Sequence, residues 1–198
     1  MKVLFVATVR SHIGQFHMPF IRELVRRGCR VEAAFKDNSA DKPGLDLSGI
    51  ARTYEVPFSR SPYSVDNLKA YQVLKKIIDE GRYDAIHCHT PMGAVVTRLA
   101  ARDARKRGTK VIYTAHDYQL VCPDHLCRNP VTGENCEKCL GGHFENCLKG
   151  RCIHGSRAKS LIGMLEARIW NGSRVYENID TILCCSEFMK TKLDTSPV

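Results

Sequence analysis

The sequence predicts an α/β protein with a Rossmann-like, doubly wound parallel sheet and a cysteine-rich insertion. Two short apolar runs, within residues 83–93 and 110–118, each stop at a histidine, and a helical pattern separates them. Parallel strands linked by such a crossover point the same way, so their carboxyl ends meet at one edge of the sheet. Open α/β folds bind their ligands at this edge.

Helical patterns alternate with apolar strands along most of the chain, as in other doubly wound sheets. Strands are expected at residues 2–9, 30–35, 51–56, 85–88, 111–115 and 181–184. Helices are expected from Phe16 to Gly28 and at residues 64–80, 92–107, 157–178 and 185–193. Glycine is typical of helix ends: Gly28 closes the first helix, and Gly81 follows the second. Between residues 120 and 155 the alternation stops.

The composition is that of a globular protein with an anionic partner. The 198 residues suffice for one domain with its own core, and 43% of them are hydrophobic. No apolar run approaches the ~18 residues of a membrane span, and residues 1–9 are predicted as a strand rather than a signal peptide. The net charge is +9, but the basic residues are spread out and no nucleic-acid module is recognisable. A phosphorylated substrate or an anionic membrane surface is therefore favoured over nucleic acid.

Gly14 is a candidate phosphate ligand. It lies in the turn expected after the first strand, at the start of a helix, where backbone N–H groups can receive a diphosphate. The spacings of the dinucleotide-binding and P-loop motifs are absent. A plain turn residue is the alternative, and a lone glycine favours it.

Three histidines are the stronger candidates. His87 and His89 are two residues apart on an expected strand and so face the same side, and His116, followed by Asp117, ends the next strand. An imidazole there can hydrogen-bond sugar hydroxyls or transfer a proton near pH 7. The alternative for each is a satisfied polar residue at a strand end. A zinc pair on His87 and His89 is less favoured, because zinc needs further ligands.

Six of the ten cysteines lie between Cys122 and Cys152. Four of them have the spacing Cys136-x2-Cys139-x7-Cys147-x4-Cys152, which can supply four thiolates to a structural zinc. Unligated thiols are the main alternative, and disulfides or an iron–sulfur cluster are further ones.

The helix expected at residues 157–178 is basic and contains Trp170. Its apolar positions are Leu161, Ile162, Leu165, Ile169 and Trp170. It can lie on an anionic membrane or pack on the sheet as an ordinary surface helix, and the second arrangement is slightly favoured.

Taken in order, four segments resemble family 4 glycosyltransferases, and more narrowly the amino-terminal, acceptor-binding domain of these two-domain GT-B enzymes. They are the strand–turn–helix with Gly14 and residues 84–90, 114–117 and 184–190. Residues 116–123 with the cysteine-rich loop resemble a subgroup that acts in bacterial polysaccharide and surface-glycan assembly. The resemblance extends over nearly the whole chain.

The resemblance implies a retaining hexosyltransferase that moves a sugar from a nucleotide-sugar donor, such as a UDP- or GDP-sugar, onto a glycan or lipid-linked precursor. Gly14 would lie near the donor diphosphate, and His116 would orient the donor sugar as the catalytic residue. His89, His87 and Asp117 would bind substrate in the cleft. Such enzymes need no metal for transfer, so zinc on the cysteines would be structural. The expected location is the cytoplasm, either free or peripheral at the inner face of the cell membrane.

The same resemblance implies a second, donor-binding domain after this chain. Residues 1–198 are expected to be one Rossmann-like domain with a cysteine-rich insertion at residues 120–155, and inactive alone. Glu137 and Glu145 have the Glu-x7-Glu spacing of the donor domain, but they lie inside the cysteine loop, so the match is taken as accidental. A zinc-stapled module that binds a glycan or phosphate without catalysis remains an alternative, and a nucleotide-sugar epimerase is a weaker one.

Overall fold

A computed structural model of the chain describes residues 1–59, 61, 64–172 and 175–196. Its strands are β1 (Lys2–Val9), β2 (Arg30–Lys36), β3 (Arg52–Glu55), β4 (Ala85–His89), β5 (Lys110–Ala115) and β6 (Thr181–Cys184). They form one six-stranded sheet in the order β3-β2-β1-β4-β5-β6. The pairings β1–β2, β1–β4, β2–β3 and β4–β5 are all parallel. The fold is therefore the predicted Rossmann-like α/β fold.

Short and long helices connect the strands. The helices are α1 (Arg10–His12), α2 (Met18–Arg26), α3 (Asp66–Gly81), α4 (Pro91–Ala100), α5 (Arg102–Lys106), α6 (Glu145–Gly150), α7 (Arg157–Gly172) and α8 (Glu187–Leu193). A π-helix at Ile13–His17 joins α1 to α2, and 3-10 turns lie at Leu140–Gly142 and Val175–Asn178. Within the described ranges, no helix has the length and apolarity to cross a membrane.

The chain forms two compact units. The first comprises residues 1–114 and 178–183, and the second comprises residues 115–177 and 184–198. The expectation of one domain with an insertion at residues 120–155 stays a prediction.

The sheet explains why the central strands are almost continuously apolar. In β1 the six residues from Val3 to Thr8 are buried, and in β2 the five from Val31 to Phe35 are buried. Strands with helices on both faces have no side to expose to water, so the alternation of apolar and polar residues disappears. β1 pairs with both β2 and β4, and the strand order reverses there, between β1 and β4. Such a switch point opens a crevice at the carboxyl ends of the strands.

A buried carboxylate ties the amino-terminal region of the sheet together. Glu32 of β2 is 1% exposed and accepts hydrogen bonds from the hydroxyls of Tyr83 (2.6 Å) and Tyr54 (2.8 Å). Lys2 Nζ and Arg30 Nε lie 3.2 and 3.0 Å from its Oε1. Burial acts to raise the pKa of Glu32, but the hydrogen bonds outweigh it and lower the pKa to about 2. Glu32 is therefore ionised at every physiological pH.

Several predicted elements are confirmed closely, and three differ. No turn separates β1 from the following helix, because α1 begins at Arg10, directly after Val9. The helix expected at residues 92–107 is interrupted at Ala101 and becomes α4 and α5. The helix expected at residues 157–178 ends at Gly172, and residues 173 and 174 lie outside the described part of the chain.

The apolar face predicted for that helix is wrong, whereas its packing on the sheet stays a prediction. The buried residues of α7 are Ser160, Gly163, Met164 and Ala167. The predicted apolar face is turned to solvent: its exposed members, with their exposed fractions, are Leu161 (40%), Ile162 (45%), Leu165 (45%) and Ile169 (62%). The buried side has small residues because a helix packs more closely where side chains are short, as at Gly163, where an added Cβ would lie 2.3 Å from Ile153 Cδ1.

Candidate active site

The first unit places two histidines where β1 ends. His12 closes α1, and His17 is the last residue of the π-helix Ile13–His17. A π-helix has its hydrogen bonds five residues apart, so residues i and i+5 come to lie above one another. The ring centroids of His12 and His17 are accordingly 5.0 Å apart. Short π-helical segments of this kind are frequent at functional sites.

The end of β4 brings His89 to the same place. His89 is fully buried, and its ring is stacked on that of His17 with centroids 3.6 Å apart. One ring nitrogen from each of His12, His17 and His89 lies within 4.8 Å of the others. His12 and His17 lie on the helical stretch that follows β1, and His89 is the last residue of β4, so the cluster lies beside the switch point between these two strands. The first unit therefore carries a histidine cluster at the carboxyl edge, in which His17 and His89 are buried and His12 is partly buried.

His87 lies beside this cluster, as its position two residues before His89 predicts. The two rings are 4.2 Å apart, and His87 Nε2 makes a 2.8 Å hydrogen bond with Thr114 Oγ1 of β5. Phe5 of β1, the register partner of His87, packs its ring against both histidines, at 5.1 Å from His87 and 5.7 Å from His89. An aromatic ring thus supports the base of the cluster.

Thr90 follows His89 with an unusual backbone. Its φ is 65°, in the left-handed region that costs a non-glycine residue about 1–3 kcal/mol. Its hydroxyl lies 2.6 Å from that of Thr8 on β1. A Cβ on Gly93 would lie 2.8 Å from the Thr90 hydroxyl and 3.3 Å from the Thr8 nitrogen. α4 therefore begins in close contact with β1, and backbone strain of this kind is concentrated at functional sites.

Gly14 lies inside the π-helix rather than in a turn. It is the fifth residue of the helical stretch that begins at Arg10, past the first four N–H groups that lack intrahelical partners. A Cβ on Gly14 would lie 3.1 Å from the side chain of Leu45. Close packing on Leu45 therefore accounts for glycine here, and the phosphate role stays a prediction.

In the second unit, His116 is exposed and directly follows the last residue of β5. Partial burial of the ring lowers the pKa of His116 below its usual value, and the charge of Asp117 opposes that shift. The imidazole is therefore neutral at pH 7 and can both donate and accept a hydrogen bond. Asp117 is engaged locally: its carboxylate accepts the Gln119 N–H at 3.0 Å and lies 3.6 Å from His125 Nδ1.

Backbone hydrogen bonds draw the loop cysteines together in pairs. The Cys136 N–H donates to the Cys127 carbonyl at 2.8 Å, next to the antiparallel bridge between Arg128 and Asn135. The Cys152 N–H donates to the Cys147 carbonyl at 3.1 Å, and Arg151 between them has φ 49°. This is the pattern in which a left-handed residue ends a helix.

Three of the loop cysteines also share one apolar cluster. Cys139, Cys147 and Cys152 belong to one apolar cluster with Phe144, Met164 and Ala167. A hydrogen bond from the Cys127 thiol lowers the pKa of Cys122 to about 6, against the opposing effect of burial. Burial raises the pKa of Cys139 to about 12, and the charge of Cys122 contributes to that shift.

Sequence reasoning missed His12 and His17. Both are visible in the sequence as two histidines five residues apart after the first strand. In a regular α-helix such residues do not share a face, so only the π-helix reveals their proximity.

Comparison with known proteins identifies the family of this chain. Residues 13–198 match the family described as Glycosyl transferase 4-like domain. The chain belongs to this family. The match begins within the π-helix and continues to Val198, the last residue of the chain.

A bacterial protein agrees with the family. The chain is 41% identical over 147 residues to a Bacillus subtilis (strain 168) protein named "Putative glycosyltransferase EpsD". The matched region is 74% of this chain and 36% of the relative, so the chain spans about a third of that protein's length.

Two solved structures share the fold at low identity. One is a UDP-N-acetylglucosamine 2-epimerase, with a TM-score of 0.54, 11% identity and coverage of 98% of this chain and 44% of that one. The other is the glycotransferase of kitacinnamycin, with a TM-score of 0.50, 15% identity and coverage of 92% and 45%. Both are more than twice as long as the region they share with this chain.

Proposed function

We propose that this chain is the acceptor-binding half of a retaining glycosyltransferase. The whole enzyme transfers a hexose from a UDP- or GDP-sugar to a glycan or lipid-linked precursor, and a donor domain outside this chain holds most of the nucleotide. The observation that carries the proposal is the family match over residues 13–198 of a glycosyl transferase 4-like domain. The polar residues at the carboxyl ends of β1 and β4 support it, because open α/β sheets bind ligands at this edge.

In this proposal His116 is the catalytic residue and orients the hydroxyls of the donor sugar. Its lowered pKa supports this role, since a neutral imidazole can both donate and accept a hydrogen bond at pH 7. A hydrogen-bonding group held against the developing positive charge of the sugar lowers the barrier without carrying charge itself. His89, His87 and Asp117 bind substrate, and Gly14 approaches the donor diphosphate.

A transfer assay with the full-length protein tests this function. Labelled UDP- and GDP-sugars are supplied with a lipid-linked or glycan acceptor, and the anomeric configuration of the product is read by NMR. We expect transfer with retention, and a fall of kcat by about 10²–10³ in His116→Asn. His143→Gln, an exposed histidine of the cysteine loop, is the matched control and should transfer normally. Full activity of His116→Asn, or inversion at the anomeric carbon, contradicts the proposal.

The cysteine loop is proposed to hold a structural zinc on Cys136, Cys139, Cys147 and Cys152. Cys139 and Cys147 are buried in one apolar cluster, the partly buried Cys152 packs against it, and a backbone hydrogen bond joins Cys152 to Cys147. Metal analysis of the purified protein tests this site: Cys139→Ser should lose one equivalent of zinc, and Cys29→Ser on the first unit should retain it. Equal zinc content in both variants removes the assignment.

An anionic membrane surface is the proposed partner of α7. Its exposed face presents Leu161, Ile162, Leu165 and Ile169, and Arg157 and Arg168 lie beside that face on the helix. Apolar side chains flanked by arginine are the pattern of helices that lie in the membrane interface. The net charge of +9 favours the same partner.

Vesicle sedimentation tests the membrane contact. Binding is expected to vesicles containing phosphatidylglycerol and to be weaker with phosphatidylcholine alone. Ile169→Glu should abolish binding, whereas Leu126→Glu, at an exposed leucine (63%) of the cysteine loop, should not. If both variants bind as the parent does, α7 is not the contact.

A further inference from the structure

We propose that His12, His17 and His89 form a binding site for a divalent transition metal of the zinc type. The site goes beyond glycosyl transfer and is separate from the cysteines of the loop. Its ligands come from three places in the first unit: the end of α1, the end of the π-helix and the end of β4.

The distances between the ring nitrogens allow all three to reach one ion after small movements of the rings. One nitrogen from each of these residues lies within 4.8 Å of the other two. Three atoms so placed have a common point within about 2.8 Å of each, and zinc–nitrogen bonds are about 2.0–2.1 Å. Each ring therefore has to move by less than about 1 Å to reach bonding distance.

Two of the three ligands are held in packed surroundings. His17 and His89 are 4% and 0% exposed, and Phe5 packs its ring 5.7 Å from that of His89. The π-helix sets His12 above His17 with ring centroids 5.0 Å apart, which is about the spacing of two imidazoles on one zinc. His12 is partly buried and is therefore the most exposed of the three ligands.

The rings of His17 and His89 are the pair that must rearrange. They are stacked with centroids 3.6 Å apart and planes 25° apart. Two imidazoles on one tetrahedral ion have centroids about 5 Å apart, so binding separates this pair by about 1–2 Å. Metal binding is thus expected to unstack the rings, and that change is itself measurable.

The ligand chemistry selects the ion. Imidazole nitrogens suit zinc, nickel, cobalt and copper, whereas magnesium and calcium prefer oxygen. Three protein ligands leave a fourth position for water or for an oxygen of a bound molecule. Zinc is therefore the probe of choice, and magnesium is the negative control.

Calorimetric titration of the full-length protein with Zn²⁺ tests the site. The parent should bind one equivalent that His17→Gln loses or binds more than about 10-fold more weakly, and His143→Gln should keep it. His12→Gln, at a partly buried residue, decides the question if His17→Gln does not fold. Titration of Cys139→Ser separates the two proposed sites, because the equivalent bound by the histidines should remain in Cys139→Ser and be lost from the histidine variants.

Proton NMR of the histidine rings supplies a second readout. Zn²⁺ should shift the resonances of His12, His17 and His89, and Mg²⁺ should leave them unchanged. If every equivalent of zinc disappears with Cys139→Ser, or if His12→Gln and His17→Gln both bind as the parent does, the histidine site is refuted. The transfer assay is unaffected by that outcome, so glycosyl transfer and metal binding stand or fall separately.

Discussion

Removing the charge of Glu32 should weaken the sheet by about 3 kcal/mol at pH 7. The carboxyl is 1% exposed, and its pKa is lowered from 4.5 to about 2, a difference of about 2.5 units at 1.36 kcal/mol each. Because the pKa is lower in the folded state, this contribution is complete above pH 4.5 and is lost as the pH falls towards 2. Glu32→Gln keeps an oxygen for Tyr83 and Tyr54 but removes the charge.

Urea unfolding followed by circular dichroism between pH 7 and 3 measures the effect. The free energy of unfolding of the parent should fall progressively below pH 4.5. Glu32→Gln should have a lower free energy of unfolding at pH 7, and that free energy should depend less on pH below 4.5. Glu23→Gln is the matched control. Glu23 also has a pKa of about 2, but it lies on the surface of α2, where its carboxylate accepts hydrogen bonds from Arg26 and Arg27. Parallel curves for the parent and Glu32→Gln would refute the reasoning.

Two further predictions concern contacts that position the site. Gly93→Ala should lower the free energy of unfolding by about 1–3 kcal/mol, because its Cβ would lie 2.8 Å from the Thr90 hydroxyl. The control Gly172→Ala, whose Cβ would have no atom within 4 Å, should change that free energy by less than about 1 kcal/mol. Equal effects of the two variants in a urea titration would contradict this prediction. Asp180→Asn should cost about 1–3 kcal/mol, because the carboxylate accepts the Val111 N–H at 2.9 Å and Arg105 Nε at 3.1 Å. Burial acts to raise the pKa of Asp180, but these bonds lower it below 3.8, so the parent should lose this contribution below that pH and the variant should show no such loss.

The order of strands and helices could be predicted because the local sequence pattern of most segments agrees with the element that the segment forms. β6 was predicted at its observed bounds, and β1 likewise, since each is an apolar run between polar residues. Burial on both faces accounts for the run in β1, whose residues from Val3 to Thr8 are buried, but not for β6, which is mostly exposed. The proximity of His87 and His89 follows from the two-residue repeat of a strand.

The features that were not predicted depend on tertiary packing, which the pattern of apolar and polar residues does not encode. The π-helix at Ile13–His17 has no sequence signature, and it alone brings His12 to His17. The face of α7 was misjudged because apolar residues usually turn inward, whereas here the small residues Gly163 and Ala167 allow the close approach. α6 was not predicted, since a six-residue helix inside a cysteine loop gives too few turns for a periodic signal.

Hydrogen exchange of the full-length protein, with and without a bound nucleotide-sugar and acceptor, tests the central claim most directly. Ligand should slow exchange in peptides that contain residues 8–18 and 85–93, where β1 and β4 end, and leave residues 100–110 before β5 unchanged. Protection that falls instead on residues 79–84 and 100–110, at the amino ends of β4 and β5, would contradict the placement of the substrate cleft.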